Sequence, residues 1–251
     1  MKFFESLDIT LLENELICFV GAGGKTTSLF RLARELKACN KRVLVTTTTA
    51  IYSPDETHCD QVILDRAEDS DLMKKRIDPC ICVLGREVTA QSKLLGVDKE
   101  YVSKLFMEAV FDYILVEADG SRQRPIKAPA DHEPVIPGGT TKVVGVVGLD
   151  ALGRGICSDS VHRPEYFSRL TRRVMGDRID EGAITKLIQE PEGLFKSVPD
   201  RSRKFVLLNK ADSKERQKSA RWIVDEVTRD DCGGLSCIIA DMLKGSISRV
   251  V

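Results

Sequence analysis

The chain has 251 residues, of which 42% are hydrophobic and 30% charged, and its formal net charge at pH 7 is zero. The balanced charge, without a long block of one sign, argues against a protein that binds nucleic acid through a basic face. No apolar run approaches the ~20 residues that span a bilayer, and acidic residues interrupt the N-terminal segment where a signal peptide would be apolar. We therefore expect a cytoplasmic protein with neither membrane nor nucleic acid as a partner.

The hydrophobic pattern predicts strands that alternate with helices. Predicted strands span residues 16–20, 42–45, 61–64, 80–84, 113–116, 142–147, 205–208 and 236–240. Predicted helices span residues 26–38, 98–110, 165–175, 181–188 and 213–227. Continuous apolar strands between helices indicate an α/β fold, with a mostly parallel sheet and helices on both faces. We expect one domain over residues 1–251, with a possible soft subdivision near residues 137–139.

In parallel sheets the ligand lies at the carboxyl ends of the strands. The residues that directly follow each strand are therefore the first candidates for a binding site. The first strand leads into a glycine turn and a helix, as in a phosphate-binding loop, but the first glycine of the usual pattern is replaced by Phe19. Glycines let backbone N–H groups wrap phosphates, Lys25 would reach the outer phosphates, and Thr26 would bind Mg²⁺. The shortened loop resembles that of Mur-type ligases. The predicted phosphate-binding residues are Gly21, Ala22, Gly23, Gly24, Lys25, Thr26 and Thr27.

Two further strands end in polar residues. Threonines at 46–49 follow the second strand, where they reflect either β-propensity or a role beside the phosphates. Glu117 and Asp119 follow the apolar strand 113–116, which is the Walker B layout. A carboxylate there can hold the hydration shell of Mg²⁺ or orient a water, and we expect Glu117 to share the metal with Thr26, with Asp119 as the other candidate acid. The alternative is an acidic turn without function.

The loop after these acids is rich in charged side chains and stiffened by prolines. Such a loop could clamp an anionic substrate or cargo, or supply Arg122 to the transition state of phosphoryl transfer. The alternative is a solvated surface loop. Its candidate residues are Arg122, Arg124, Lys127, His132 and Glu133.

Asn209, Lys210 and Asp212 follow the strand 205–208 and match the guanine-binding pattern N-K-x-D. The aspartate carboxylate would accept two hydrogen bonds that guanine donates and adenine does not, and the asparagine would tie the motif to the phosphate loop. The alternative is that Asp212 caps the following helix.

Several of these stretches together resemble the YqeC family. They are "VGAGGKTT", "VLVTTTTAIYSP", "VEADGSRQRPIKAPADHEPVIP", "VVGLDALG" and "LLNKAD". The resemblance covers most of the chain and implies an accessory role for selenium-dependent molybdenum hydroxylases, in making or inserting their selenium cofactor. The layout also looks like that of accessory GTPases that serve nickel enzymes.

The sequence therefore predicts a Mg²⁺-dependent P-loop nucleoside triphosphate hydrolase, with GTP favoured over ATP, that assists a molybdenum hydroxylase or its cofactor-loading machinery. Its catalytic residues would be Lys25, Glu117, Asp119 and Arg122. One alternative is an ATP-dependent ligase or kinase that acts on a small anionic substrate. The other is a non-catalytic chaperone that responds to nucleotide.

Overall fold

The structure is a computed structural model that describes residues 1–54, 57–64, 78–229 and 234–250. The helices are α1 (Phe3–Ser6), α2 (Lys25–Ala38), α3 (Lys99–Met107), α4 (Pro164–Thr171), α5 (Glu181–Gln189) and α6 (Lys214–Thr228), with a 3₁₀ turn at Leu149–Ala151. The first strands are β1 (Glu15–Gly21), β2 (Val43–Thr47), β3 (Ala50–Tyr52), β4 (Gln61–Leu64), β5 (Ile81–Gly85), β6 (Lys93–Leu95) and β7 (Tyr113–Glu117). The later strands are β8 (Ile126–Lys127), β9 (Lys142–Gly148), β10 (Val161–His162), β11 (Arg203–Asn209), β12 (Leu235–Asp241) and β13 (Ser246–Arg249).

In the described residues, nine strands form one sheet in the order β13-β12-β11-β9-β1-β7-β2-β5-β4. All neighbours in this sheet are parallel except β12 and β13. The central strand β1 pairs with β7 on one side and β9 on the other, so the sheet continues across the expected boundary at 137–139. The carboxyl ends of β1, β7, β2, β9 and β11 therefore meet at one edge.

Helices cover both faces of the sheet, which confirms the predicted α/β fold. Every residue of β1 is buried, and its side chains alternate between two apolar clusters as a strand requires. Ile17 and Phe19 pack with α1 and α2, whereas Leu16, Cys18 and Val20 belong to the cluster with α3 to α6. Burial on both faces explains why these strands are continuous apolar runs.

The predicted strands and helices are present, but several boundaries differ. The helix predicted at 165–175 ends at Thr171 because Arg172 adopts a left-handed backbone conformation. The predicted helix 98–110 ends at Met107, and Ala109 then has φ +51°. Helix α1, the edge strand β13 and two small pairs were not predicted, the pairs being the antiparallel β3–β6 and the parallel β8–β10. Strands of two or three residues carry too little periodicity to be detected.

None of the helices in the described ranges combines the length and the apolar character that crossing a bilayer requires.

The α5–α6 side of the sheet gives a direct test of the core. Leu187 of α5 is fully buried in the cluster beneath the sheet. Leu187→Ala is expected to lower the free energy of unfolding by ~2–5 kcal/mol, because it removes apolar contacts and leaves a cavity. Leu243→Ala is the control, since that side chain is 82% exposed, and it should change stability by less than about 0.5 kcal/mol. Urea unfolding measures both, and equal effects would contradict this packing.

Candidate functional site

The glycine turn after β1 is built for close approach of the backbone. Gly21, Gly23 and Gly24 have φ values of +88°, +90° and +125°, which favour glycine. A Cβ on Gly23 would lie 2.2 Å from the backbone nitrogen of Gly148. The turn feeds directly into Lys25, the first residue of α2, where N–H groups have no partner within the helix. A phosphate-binding loop would require this geometry.

Not every predicted loop residue has an available amide. The N–H of Ala22 donates to the carbonyl of Val146 at 2.9 Å, and the N–H of Gly21 donates to Oδ2 of Asp119 at 3.0 Å. The amides from Gly23 to Thr27 have no hydrogen-bond partner among the described residues, so they are the ones that remain available to a phosphate.

Lys25 is buried among oxygen atoms at this edge of the sheet. Its Nζ donates to the carbonyl of Gly21 at 2.6 Å and lies 3.0 Å from Oδ1 of Asp119 and 3.6 Å from Oε1 of Glu117. Burial favours the neutral amine, but the Asp119 and Glu117 carboxylates outweigh it and raise the pKa of Lys25. The ammonium is thus charged and sits beside the turn that would hold the phosphates.

Thr26 and Glu117 fit a magnesium ion. The Thr26 hydroxyl donates to Oε2 of Glu117 at 2.7 Å, so a hydroxyl and a carboxylate lie together at the start of α2. Both are hard oxygen ligands of the kind that Mg²⁺ binds. Burial raises the pKa of Glu117, against the influence of Lys25 and Thr26. A divalent cation would favour the ionised carboxylate.

Three of the four threonines at 46–49 have structural roles. The hydroxyls of Thr46, Thr47 and Thr48 donate to the carbonyls of Leu84, Glu117 and Val135 at 2.8–2.9 Å. Thr49, the fourth, lines the cavity in front of the phosphate loop.

The middle of the charged loop after β7 folds inward, so Lys127, which was predicted to hold an anionic substrate or cargo, faces protein partners instead. Lys127 is 1% exposed, and its Nζ lies 2.7 Å from the carbonyl of Gly120, 2.7 Å from Glu133 and 3.0 Å from Asp119. Glu133 also binds the guanidinium of Arg163. Lys127 and Glu133 are therefore neutralised by protein partners. His132 is exposed and is not among the described residues that line the cavity, so its contact with substrate or cargo stays a prediction.

A cavity of about 930 Å³ lies in front of this cluster. Arg122 and Arg124 line it, as predicted for an anion-binding loop, and so do His162 and Arg163, which the sequence analysis missed. The only local signal for these two is the proline that starts α4 directly after them. Burial and the charges of Lys127 and Arg163 lower the pKa of His162 to about 4, so its imidazole is neutral at pH 7.

Asn209 ties β11 to the phosphate loop, as the guanine-binding pattern predicts. Its side-chain Nδ2 donates to the carbonyl of Gly23 at 2.8 Å, and its Oδ1 accepts from the N–H of Met242 at 3.0 Å. Lys210 lines the cavity and pairs with Asp150 at 2.8 Å. These contacts place both residues beside the loop.

Asp212 is more distant from the cavity. Its carboxylate pairs with Arg216 at 2.7 Å, and it is not among the described residues that line the cavity. The alternative role of Asp212 as a helix cap is wrong, because Ser213 caps α6 by accepting the N–H of Arg216 at 3.2 Å.

Comparisons with known proteins bear on this site. A family profile described as YqeC protein matches residues 17–165. The chain is 35% identical over 200 residues to a protein of Escherichia coli (strain K12) described as uncharacterized protein YqeC, a match that covers 78% of this chain and 75% of the relative. The chain belongs to the YqeC family.

The family match spans the phosphate loop, Glu117, Asp119 and the His162–Arg163 pair, and it ends before Asn209. Among solved structures, FtsY from Mycoplasma mycoides matches 95% of this chain at 13% identity and a TM-score of 0.36. This chain spans 56% of the length of that FtsY structure.

His162 provides a pH test of the site. Its pKa is about 4 in the folded chain and about 6.5 when unfolded, so the unfolded chain binds more protons between these values. The contribution of His162 to the free energy of unfolding should therefore fall as pH decreases from about 6.5 to 4. His162→Gln should flatten the pH dependence in this window, measured by urea unfolding at stepped pH. His132→Gln should leave it as in wild type, and identical curves for His162→Gln and wild type would contradict the buried, cation-flanked site.

Proposed function

We propose that this protein is a Mg²⁺-dependent P-loop nucleotide-binding protein that hydrolyses a nucleoside triphosphate, with GTP preferred over ATP. The observation that carries the proposal is the cluster of Lys25, Thr26, Glu117 and Asp119 around the glycine turn. It combines a charged lysine, free helix N-terminal amides and hard oxygen ligands at the carboxyl edge of a parallel sheet. That set of groups serves phosphates and a divalent cation.

The residues would act mainly by positioning and by stabilising charge. The amides from Gly23 to Thr27 would hold the phosphates, and Lys25 would turn from Asp119 toward their outer oxygens. Thr26 and Glu117 would hold Mg²⁺, which when bound supplies Lewis-acid stabilisation of phosphate charge. Asp119 would orient the attacking water, and Arg122 would offset charge that develops on the transferred group.

The preference for GTP rests on Asn209, Lys210 and Asp212. The Asn209 bond to Gly23 supports a base-binding role for this segment, because it couples the segment to the phosphate loop. Asp212 would leave Arg216 and accept hydrogen bonds from guanine.

A second candidate is an ATP-dependent ligase or kinase for a small anionic substrate. The cavity favours it, because Arg122, Arg124 and Arg163 line a region beside the phosphate loop. In this function the segment Asn209–Asp212 would have no role in base selection.

The biological role we propose is assistance to a molybdenum hydroxylase or to the machinery that loads its selenium-containing cofactor. This part of the proposal rests on membership of the YqeC family and on the resemblance described above. The exposed side of the cavity, near Arg122 and Arg124, is the part of the chain we assign to cargo or substrate.

Lys25→Ala tests the phosphate site. Nucleotide affinity should fall about tenfold or more, because charge-assisted hydrogen bonds to phosphate are lost, and hydrolysis should be abolished. Lys37→Ala is the control on the same helix, since the one ion pair of Lys37 within the described ranges is a partly exposed pair with Asp60. Calorimetric titration and phosphate release measure the two effects, with circular dichroism to check folding. Hydrolysis by Lys25→Ala at the wild-type rate would refute the proposal.

Asp212→Asn tests the choice of base. Loss of a carboxylate that accepts charge-assisted hydrogen bonds should cost ~1.5–3 kcal/mol, so GTP affinity should drop about tenfold or more while ATP affinity stays unchanged. Arg216→Gln is the matched control, because it removes the partner of Asp212 and keeps the carboxylate. Titration of each protein with GTP and with ATP, both in the presence of Mg²⁺, measures these affinities. If ATP and GTP bind equally well and Asp212→Asn changes neither affinity, the ligase or kinase function is favoured.

A further inference from the structure

The cavity offers more room than the phosphate loop alone requires. Its volume of about 930 Å³ lies near the upper end of the ~300–1,000 Å³ range for small-molecule sites. Its lining comes from separate elements: the phosphate loop, residues 120–124 after β7, the β3–β6 pair, and the end of β10. Residues 120–124, the β3–β6 pair and the end of β10 can therefore contact a second molecule, which the phosphate loop does not bind.

Sheet order separates these elements from the segment assigned to the base. Asn209 is the last residue of β11 and Lys210 follows it, and β11 lies on the β9 side of the central strand β1. Arg122 follows β7, on the other side of β1, and Tyr52 and Lys93 belong to the small sheet that follows β2. A nucleoside bound near Asn209 would therefore extend away from β7. The part of the cavity on the β7 side would remain unoccupied by the nucleotide.

The β7 side carries positive charge. Arg122 forms no ion pair with any residue of the described ranges, and it lines the cavity together with Arg163. The Arg163 guanidinium is oriented by Glu133, whose charge Lys127 neutralises from behind. Guanidinium groups held in place in this way suit the oxygens of a phosphate group.

Other groups facing the cavity on this side do not oppose an anion. His162 is neutral at pH 7, and no hydrogen bond of its ring to another described residue is present, so it can donate or accept. Glu117 is engaged by Thr26 and Lys25, and Glu133 by Lys127 and Arg163. Arg122 and Arg163 have φ values of +48° and +65°. Non-glycine residues seldom adopt this conformation, and it concentrates at ligand clamps.

We propose that Arg122, His162 and Arg163 form a second subsite, which binds the phosphate group of a small molecule other than the nucleotide. This inference rests on the proposed function only in that the nucleotide occupies the phosphate loop. The small molecule would lie beside the outer phosphates, where it could receive a transferred group or be released by nucleotide hydrolysis.

The test uses the full chain saturated with Mg²⁺ and a non-hydrolysable nucleoside triphosphate analogue, titrated with inorganic phosphate and, separately, with acetate. Phosphate should bind to this complex, and acetate should not. Arg122→Gln and Arg163→Gln should each weaken phosphate binding about tenfold. Arg34→Gln is the matched control, because Arg34 is exposed on α2 and outside the cavity. Arg122→Gln keeps the test valid if Arg163→Gln misfolds, since Arg122 has no ionic partner in the described part of the chain.

The outcomes separate this inference from the proposed function. If the analogue binds and phosphate does not, or if acetate binds equally well, the phosphate subsite is wrong and the nucleotide site stands. If the analogue does not bind, phosphate is titrated into Lys25→Ala without nucleotide. Binding that persists there and is lost in the double variant with Arg122→Gln supports the subsite and refutes the nucleotide site. Phosphate binding that needs Lys25 but not Arg122 places the ion in the loop and overturns the inference.

Discussion

The carboxylate of Asp119 connects the glycine turn and Lys25 to the loop that follows β7. It is 2% exposed, and a buried charge of this kind is tolerated only when it is paired and hydrogen-bonded. Oδ2 accepts from the N–H of Gly21 and lies 3.0 Å from Nζ of Lys127, while Oδ1 lies 3.0 Å from Nζ of Lys25. One side chain at the end of β7 thereby fixes the start of the glycine turn, the lysine of α2 and the loop that follows β7. Replacing it by an apolar residue would leave two buried ammonium groups without their shared partner.

From Asp119 the charges continue in alternation to the cavity wall. Lys127 connects Asp119 to Glu133, and Glu133 orients Arg163, so each buried charge has an opposite neighbour. Arg163 and Glu133 favour their charged forms, and Arg163 together with Lys127 lowers the pKa of Glu133 to about 2 in spite of its burial. If Lys25 moves to a phosphate, Asp119 keeps Gly21 and Lys127 as partners. The network can therefore release one lysine without leaving a buried carboxylate unpaired, which is the property that a phosphate-binding site requires.

The parts of this arrangement that follow from local sequence could be predicted. Apolar strands with helices between them specify a parallel sheet, and the sheet brings strand ends together, so Lys25, Thr26 and Glu117 were expected at one edge. The link from Asn209 to the loop followed from its motif.

The partners of Lys127 could not be predicted, because a charged residue in a polar, proline-rich stretch has no local sign of burial. His162 and Arg163 were missed because β8 and β10 are two residues long and pair across 35 positions, a contact that no local period encodes. Asp212 was considered as a cap because it precedes α6, but the helix begins one residue later than that alternative requires.

The ion pair between Asp212 and Arg216 would bear on the proposed choice of base. Asp212 is bound to Arg216 four residues later, and both side chains are about one-third exposed. Pairs of this type contribute only about 0.3–0.5 kcal/mol, whereas hydrogen bonds to a charged acceptor contribute about 1.5–3 kcal/mol. Exchanging Arg216 for two donors of a guanine would therefore be favourable even though the carboxylate must move. Lys210 differs in this respect, since its partner Asp150 is 18% exposed and one oxygen of that carboxylate is buried without a hydrogen bond. If this segment binds a base as we propose, Lys210 would be held in place for contact with it, whereas Asp212 would have to reorient away from Arg216.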